Sequence, residues 1–248
     1  MALITTGSIK NFTVEASKKT NTKRAGSAKL RSFFELEELS ATNKDIQYEL
    51  SVSEDKRGLA LKNFKLNKSF EDFISSIFSP VNEIYFIAWS YDLSGQPVHY
   101  YPGEGIDPQD VLVKVKKGKL TEFIGEGINL FPKRQVKGGI AVRIFMWESD
   151  QEARDLGQTM INISNAINES ELNNVLSLVS LATGVSGVTI NLIEKAALEL
   201  TKVIGTILKL NKNDYVDLFE GYYAADNEWK KGLDTYTRES SEISLNKY

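Results

Sequence analysis

The stretch Leu172-Asn-Asn-Val-Leu-Ser-Leu-Val-Ser-Leu-Ala-Thr-Gly-Val-Ser-Gly-Val-Thr-Ile-Asn-Leu-Ile193 has no charged residue, in a chain that is 25% Asp, Glu, Lys and Arg. One continuous helix of this length would rise about 33 Å, enough to cross a bilayer. Its reading therefore decides between a membrane span and helices packed inside a globular fold. The polar residues favour packing. Asn174, Ser177, Ser180, Thr183, Ser186 and Thr189 recur every third position. On a helix that spacing drifts by about 60° per step, so no face stays wholly apolar. Asn173 and Asn191 raise the polar count to eight in twenty-two, a poor insertion signal.

Glycines divide the run. Gly184 can end a helix in the left-handed region, Gly187 relaxes the next turn, and Asn191 with Glu194 has capping-box spacing. The expectation is a helical hairpin: 171–183, a turn at 184–190, and 191–210. The rival is one long helix whose Ser180, Gly184 and Gly187 mark a close crossing. Beyond the run, Ile193, Ala196, Ala197, Leu200, Val203, Ile204, Ile207 and Leu208 form an apolar stripe. Upstream, Ser149 with Glu152 forms a capping box, and Ala153, Leu156, Met160, Ile163 and Ile167 recur at helical spacing.

The flanks read as strands. Glu83–Tyr91 and Ile140–Trp147 are apolar on both faces, the mark of central strands covered on each side. Tyr48, Leu50 and Val52 alternate with polar residues; Leu59, Leu61, Phe64 and Leu66 predict a hairpin arm. Leu30, Phe34 and Leu36 predict a strand, and Ser69 caps a short helix through Phe70, Phe73, Ile74 and Ile77 that Pro80 ends. Asp92–Gly95 is a turn returning Gln96–Tyr101 as a partner strand, and 102–108 is a loop. Val111, Val113 and Val115 alternate, and 123–131 reads as a further strand. The tail from Asp214 returns to strand character through Tyr222, Tyr223, Ile243 and Leu245. The expected fold is α+β: an antiparallel β-sandwich with a helical hairpin inserted before the last strands.

Residues 1–31 carry seven Lys or Arg (Lys10, Lys18, Lys19, Lys23, Arg24, Lys29, Arg31) against Glu15 alone, a net +6 that leaves −9 on the remainder of a chain totalling −3. Residues 17–29 have no apolar periodicity and read as a linker or mobile loop, while Phe12, Val14 and Ala16 permit a short strand. The expected organisation is a basic flexible arm, 1–29, and a single β-rich domain, 30–248, with a helical insertion at 150–210. At 248 residues the chain has ample material for a core. The N-terminus lacks the charged start, apolar core and cleavage site of a secretory signal. A soluble protein is expected, cytoplasmic or exported by a signal-independent route.

Chemistry is sparse. There is no cysteine, which excludes disulfides, thiolate metal sites and a cysteine nucleophile. His99 is the only histidine, which argues against histidine metal clusters and Ser-His-Asp triads; it reads as a hydrogen-bonded or exposed strand residue. Gly125-x-Gly127 and Gly138-Gly139 do not lead from a strand into a helix and so are not phosphate loops. Glu35, Glu37 and Glu38 read as the charged face of a strand rather than as an acid/base pair. Tyr91, Tyr100 and Tyr101 read as packing beside strands.

Two acidic groups remain: Trp147-Glu-Ser-Asp150 with Asp155-Leu-Gly157, and Asn213-Asp-Tyr-Val-Asp217. Carboxylates at strand ends are hard oxygen ligands suited to Ca²⁺. Their spacing resembles that of the C2 domain, in which acidic loops at one edge of a sandwich hold calcium and meet lipid head groups. The resemblance covers these two loops and the strand-rich layout. It implies Glu148, Asp150 and Asp155 as ligands, with Asp214 and Asp217 as further metal candidates and Ca²⁺ as the cofactor. Glu148 stands where the family has Asp, and the helical insertion is foreign to the simple pattern. Without calcium, Asp150 and Glu152 favour a helix N-terminus and Asp214 and Asp217 sit in a solvated loop.

The function expected is non-catalytic: a binding module for a protein, lipid or glycan surface, with no specific nucleic-acid motif. The alternatives are a toxin-like, pore-forming protein that deploys 171–210 into a membrane, and a structural subunit of a homo-oligomer joined through its basic arm.

Overall fold

The computed structural model describes residues 3–5, 16–19, 47–70, 81–149, 153–179, 184–210 and 214–248. They form two large antiparallel sheets, one small sheet and a helical layer, an α+β arrangement.

The first sheet is built on the two apolar runs. Strands β5 (Asn82–Tyr91) and β10 (Gly139–Glu148) pair antiparallel, Ala141 opposite Tyr91 and Glu148 opposite Ile84. β12 (Asp214–Ala224) joins the other side of β10, with β1 (Leu3–Thr5) beyond it. β6 (His99–Tyr101) and β7 (Val113–Val115) pair with β5. The second large sheet sets β4 (Arg57–Leu66) beside β14 (Ser241–Lys247), with β13 (Gly232–Thr237) outside β14; β8 (Leu120–Glu122) and β9 (Ile128–Arg134) pair with β4. The small sheet joins β2 (Ala16–Lys19), β3 (Gln47–Leu50) and β11 (Val185–Ser186).

The runs are apolar on both faces because two different partners cover them. Ile84, Phe86 and Ala88 of β5, with Ile140, Val142, Ile144 and Met146 of β10, face Leu59, Leu61, Phe64, Ile243 and Leu245 of the second sheet. The alternate residues Tyr85, Ile87, Trp89 and Tyr91, with Ala141, Phe145 and Trp147, face the helices. Each such fully buried large side chain contributes about 1.5–3 kcal/mol of transfer free energy.

After α1 (Pro108–Val111), three helices fill the interval between β10 and β12: α2 (Ala153–Asn168), α3 (Glu171–Val179) and α4 (Gly187–Leu210). Leu156, Ile163 and Ile167 of α2, Leu172, Leu176 and Val179 of α3, and Ile190, Ile193, Ala197, Leu200, Ile204 and Leu208 of α4 are buried on the sheet. The uncharged run is thus divided between two helices, each burying one side, with Leu178, Val188 and Leu192 exposed on the other. Among the described residues no helix is long and apolar enough to cross a membrane.

The boundaries differ from expectation in physically clear ways. α4 starts at Gly187, not at 191, because the Ser186 side chain accepts from the Thr189 amide (3.2 Å) and bonds its hydroxyl (2.9 Å). Ser186 is thus the cap, and its residue belongs to β11. Residues Arg57–Leu66 make one ten-residue strand with a register shift near Ser244–Leu245 of its partner. Val52 is mostly exposed, bridging to Lys137 beyond the end of β3. Lys18 and Lys19, read as linker, pair with Tyr48 and Gln47. Of the strand expected at 123–131 only 128–131 is strand, the start of β9; 123–127 form the turn that follows β8, where Gly125 and Gly127 have positive φ. The strand expected at 30–36, residues 71–77 of the expected helix, Glu152 of the capping box and most of 1–29 lie outside the described residues.

Candidate functional site

Where the loop from β12 to β13 crosses between the two large sheets, their shared interior opens as a cleft of about 1010 Å³. Tyr223, Trp229 and Tyr236 supply its rings, and Arg57, Lys231, Asp234 and Lys247 are among its charged groups. Strand alternation puts them there. Ile243 and Leu245 of β14 face the core, so Lys247 continues the inner face as the sheet reaches its edge. Asp234, two residues before Tyr236 on β13, lies diagonally across the ladder, and Lys247 Nζ is 2.8 Å from its Oδ2. Tyr236 Oη donates to the same oxygen at 3.3 Å and stands 3.4 Å from Tyr223 Oη.

Arg57 anchors the loop. Its Nη1 and Nη2 donate to the carbonyls of Ala224 and Asn227, each at 2.7 Å, and its guanidinium lies 5.2 Å from the Trp229 ring centroid. Trp229 also meets Tyr223 edge-on at 5.6 Å and points its Nε1 at the Tyr248 carbonyl (3.5 Å). The loop is therefore positioned from the core side by a buried cation, and Trp229 is held half-exposed.

Burial sets the protonation of these groups. It lowers the pKa of Arg57, opposed by nearby Asp55 and Asp226, and pushes Tyr223 well above the ordinary phenol range. Tyr236 is pushed up to about 12, chiefly by burial. Both phenols are neutral at physiological pH and able to donate hydrogen bonds.

A second ionic cluster lies sealed between the first sheet and α4. Arg143, the one charged residue inside the β10 run, is fully buried; its Nε donates to Glu220 Oε1 at 2.7 Å and its guanidinium lies 4.6 Å from the Trp89 ring centroid. Glu194 projects from α4 to the same place, beside Tyr91 and Tyr222, and its Oε1 lacks a hydrogen-bond partner among the described residues. Burial raises its pKa to about 7, Glu220 acts in the same direction, and Arg143 opposes both. The adjoining cavity is only about 10 Å³, room for no more than about one water. Tyr222 donates to the Gly138 carbonyl at 2.8 Å, and its ring packs so close to Gly139 that a Cβ there would sit 2.4 Å from it.

The acidic residues expected to bind calcium have several separate placements. Glu148 is buried at the end of β10, opposite Asp214 in the ladder. Asp155 is exposed in the first turn of α2. Asp217, expected in a solvated loop, is buried in β12, accepts from Ser241 Oγ at 2.6 Å and lies 3.6 Å from Arg238 Nε. Burial raises its pKa while that hydrogen bond and Arg238 act against it. Asp150 lies outside the described residues. Among the described residues no three acidic or histidine side chains are grouped to hold a metal ion. His99 is a half-exposed strand residue whose Nε2 is 3.3 Å from the Asn129 carbonyl, and burial lowers its pKa.

Sequence reasoning did not identify the cleft. Its residues come from positions 57, 223–224, 227–236 and 247, and on the strands they read only as alternation. The available signal was Trp229, flanked by Glu228, Lys230 and Lys231 in a charged connection of the tail. Comparison with protein-family models, with curated proteins and with solved structures finds no match.

Proposed function

We propose that this chain is a non-catalytic binding module: an antiparallel β-sandwich, covered on its second face by a helical hairpin with α2 beside it, that takes its ligand in the cleft between β12 and β13. The observation that carries this reading is the cleft itself. Binding sites are concave, a few hundred to about 1,000 Å³ in size, and combine ring surfaces with a few fixed polar groups. An inward-facing Asp–Lys pair at a sheet edge also discourages edge-to-edge aggregation. That role explains Asp234 and Lys247; it explains neither the open volume nor the half-exposed Trp229 and Tyr236.

Trp229 provides the test. Trp89 and Trp147 are buried, so a change in tryptophan emission on adding a ligand reports chiefly on the cleft. A panel of small sugars, carboxylic acids and phosphates is expected to include compounds that shift this emission saturably, and the shift is expected to vanish in Trp229→Phe. Binding that persists unchanged in Trp229→Phe and Tyr236→Ala would place the ligand elsewhere and overturn the reading. Liposomes loaded with dye are expected to retain it, with or without calcium or acid pH; release would favour instead the membrane-active use of 171–210.

A further inference from the structure

We propose that the ligand of this cleft is a small polyhydroxylated anion, an acidic sugar in chemical class, with its ring against Trp229 and Tyr236 and its acid group near Lys231. The proposal rests on the binding reading above and deepens it.

Charge comes first. The cleft is lined by four cations, Arg57, Lys230, Lys231 and Lys247, and two carboxylates, Glu228 and Asp234. Both carboxylates are already engaged: Glu228 lies 3.4 Å from Lys230, and Asp234 lies 2.8 Å from Lys247. Arg57 is tied to two backbone carbonyls. Lys231 is exposed and makes no ion pair among the described residues. Asp55 and Asp226 lie close enough to act on Arg57, so the uncompensated cation of the lining is Lys231, in a chain whose residues beyond 31 total −9. An uncompensated cation in a concave site draws the opposite charge.

Hydrogen bonding comes next. Asp234 keeps acceptor lone pairs beyond those taken by Lys247 and Tyr236, and the ammonium groups of Lys247 and the exposed Lys231 supply donors. Such a mixture of donors and acceptors matches a ligand dense in hydroxyl groups better than a bare inorganic anion, which only accepts. Finally, Trp229 and Tyr236 are both half-exposed at the cleft. Rings with a wet edge and an apolar body suit a ligand that has both.

The acid group has two chemical sources, a carboxylate or a phosphate ester, and three probes separate them: glucuronic acid, glucose 6-phosphate and glucose. Isothermal titration is expected to detect glucuronic acid or glucose 6-phosphate, or both, with glucose at least about tenfold weaker, one lost ionic contact. Lys231→Met, on an exposed side chain, is expected to weaken the charged probe about tenfold and to leave glucose unchanged. Preference for glucuronic acid identifies a carboxylate source, and preference for glucose 6-phosphate a phosphate source. Equal binding of glucose overturns the anionic class while the binding reading stands. No heat from any probe, when other compounds in the panel still shift Trp229 emission, overturns the sugar class alone. Silence of the whole panel overturns both.

Discussion

Two clusters in this molecule are built from nearly the same groups and have opposite access to solvent. Under α4, Arg143 lies over Trp89, with Glu220, Glu194 and two tyrosines around it. At the mouth between the sheets, Arg57 lies over Trp229, with Asp234, Lys247 and two tyrosines. The first adjoins about 10 Å³ of space and the second about 1010 Å³. Chemistry alone does not separate a structural network from a binding site here. Access does. A sealed network can only trade its charges with one another, so its changes register as stability and as pH dependence. An open one can exchange water for a ligand, so its changes register as affinity.

The largest expected effect breaks the sealed cluster. Glu220→Gln leaves the fully buried Arg143 without its carboxylate and is expected to cost about 3–5 kcal/mol, measured by urea unfolding. A cost below about 1 kcal/mol would mean that water or another group reaches Arg143 and that the cluster is not sealed.

The next effect is on pH dependence. Folding raises the Glu194 pKa from 4.5 to about 7, so the folded chain holds this proton where the unfolded chain has lost it. The contribution is full below pH 4.5 and is lost as pH rises through about 7, a decline of roughly 3 kcal/mol across that window. Glu194→Gln is expected to flatten this part of the stability curve. Tyr91, Arg143, Glu220 and Tyr222 surround the group, and Tyr91, which burial pushes well above the ordinary phenol range, stays neutral through the window. An unchanged curve in the variant would assign the slope to other groups.

Changes at the mouth are expected to be smaller in stability and larger in binding. Trp229→Ala removes a half-buried ring packed on Tyr223 and Arg57 and is expected to cost about 2 kcal/mol, and to remove ligand response entirely. Lys231→Met touches only an exposed side chain, and its unfolding midpoint is expected to stay within about 0.5 kcal/mol of the parent. A large stability loss in that variant would show that Lys231 belongs to the structural network and not to an open site.

The fold was more legible in the sequence than the site. Both central strands are visible as runs apolar on two faces, because being covered on both sides leaves no polar alternation in Ile84–Trp89 or Ile140–Trp147. The helices are visible because burial on one side enforces a 3.6-residue period, as in Ile193, Ala197, Leu200, Ile204 and Leu208. The sites escape because they are made by pairing across distance. Arg143 reads as a lone exception in an apolar run, and its partner is 77 positions away. Arg57 meets the loop at Ala224 and Asn227 across 167 and 170 positions. Asp217 reads as a loop residue beside Asn213, yet strand β12 buries it against Ser241.

The most direct measurement is the pattern of amide chemical-shift changes when glucuronic acid is added to the isotope-labelled chain. Movement is expected at Lys231, Asp234, Tyr236 and Lys247, with Arg143, Glu194 and Glu220 unmoved. Shifts centred on the helices, or spread equally over both clusters, would contradict the division between a sealed network and an open site.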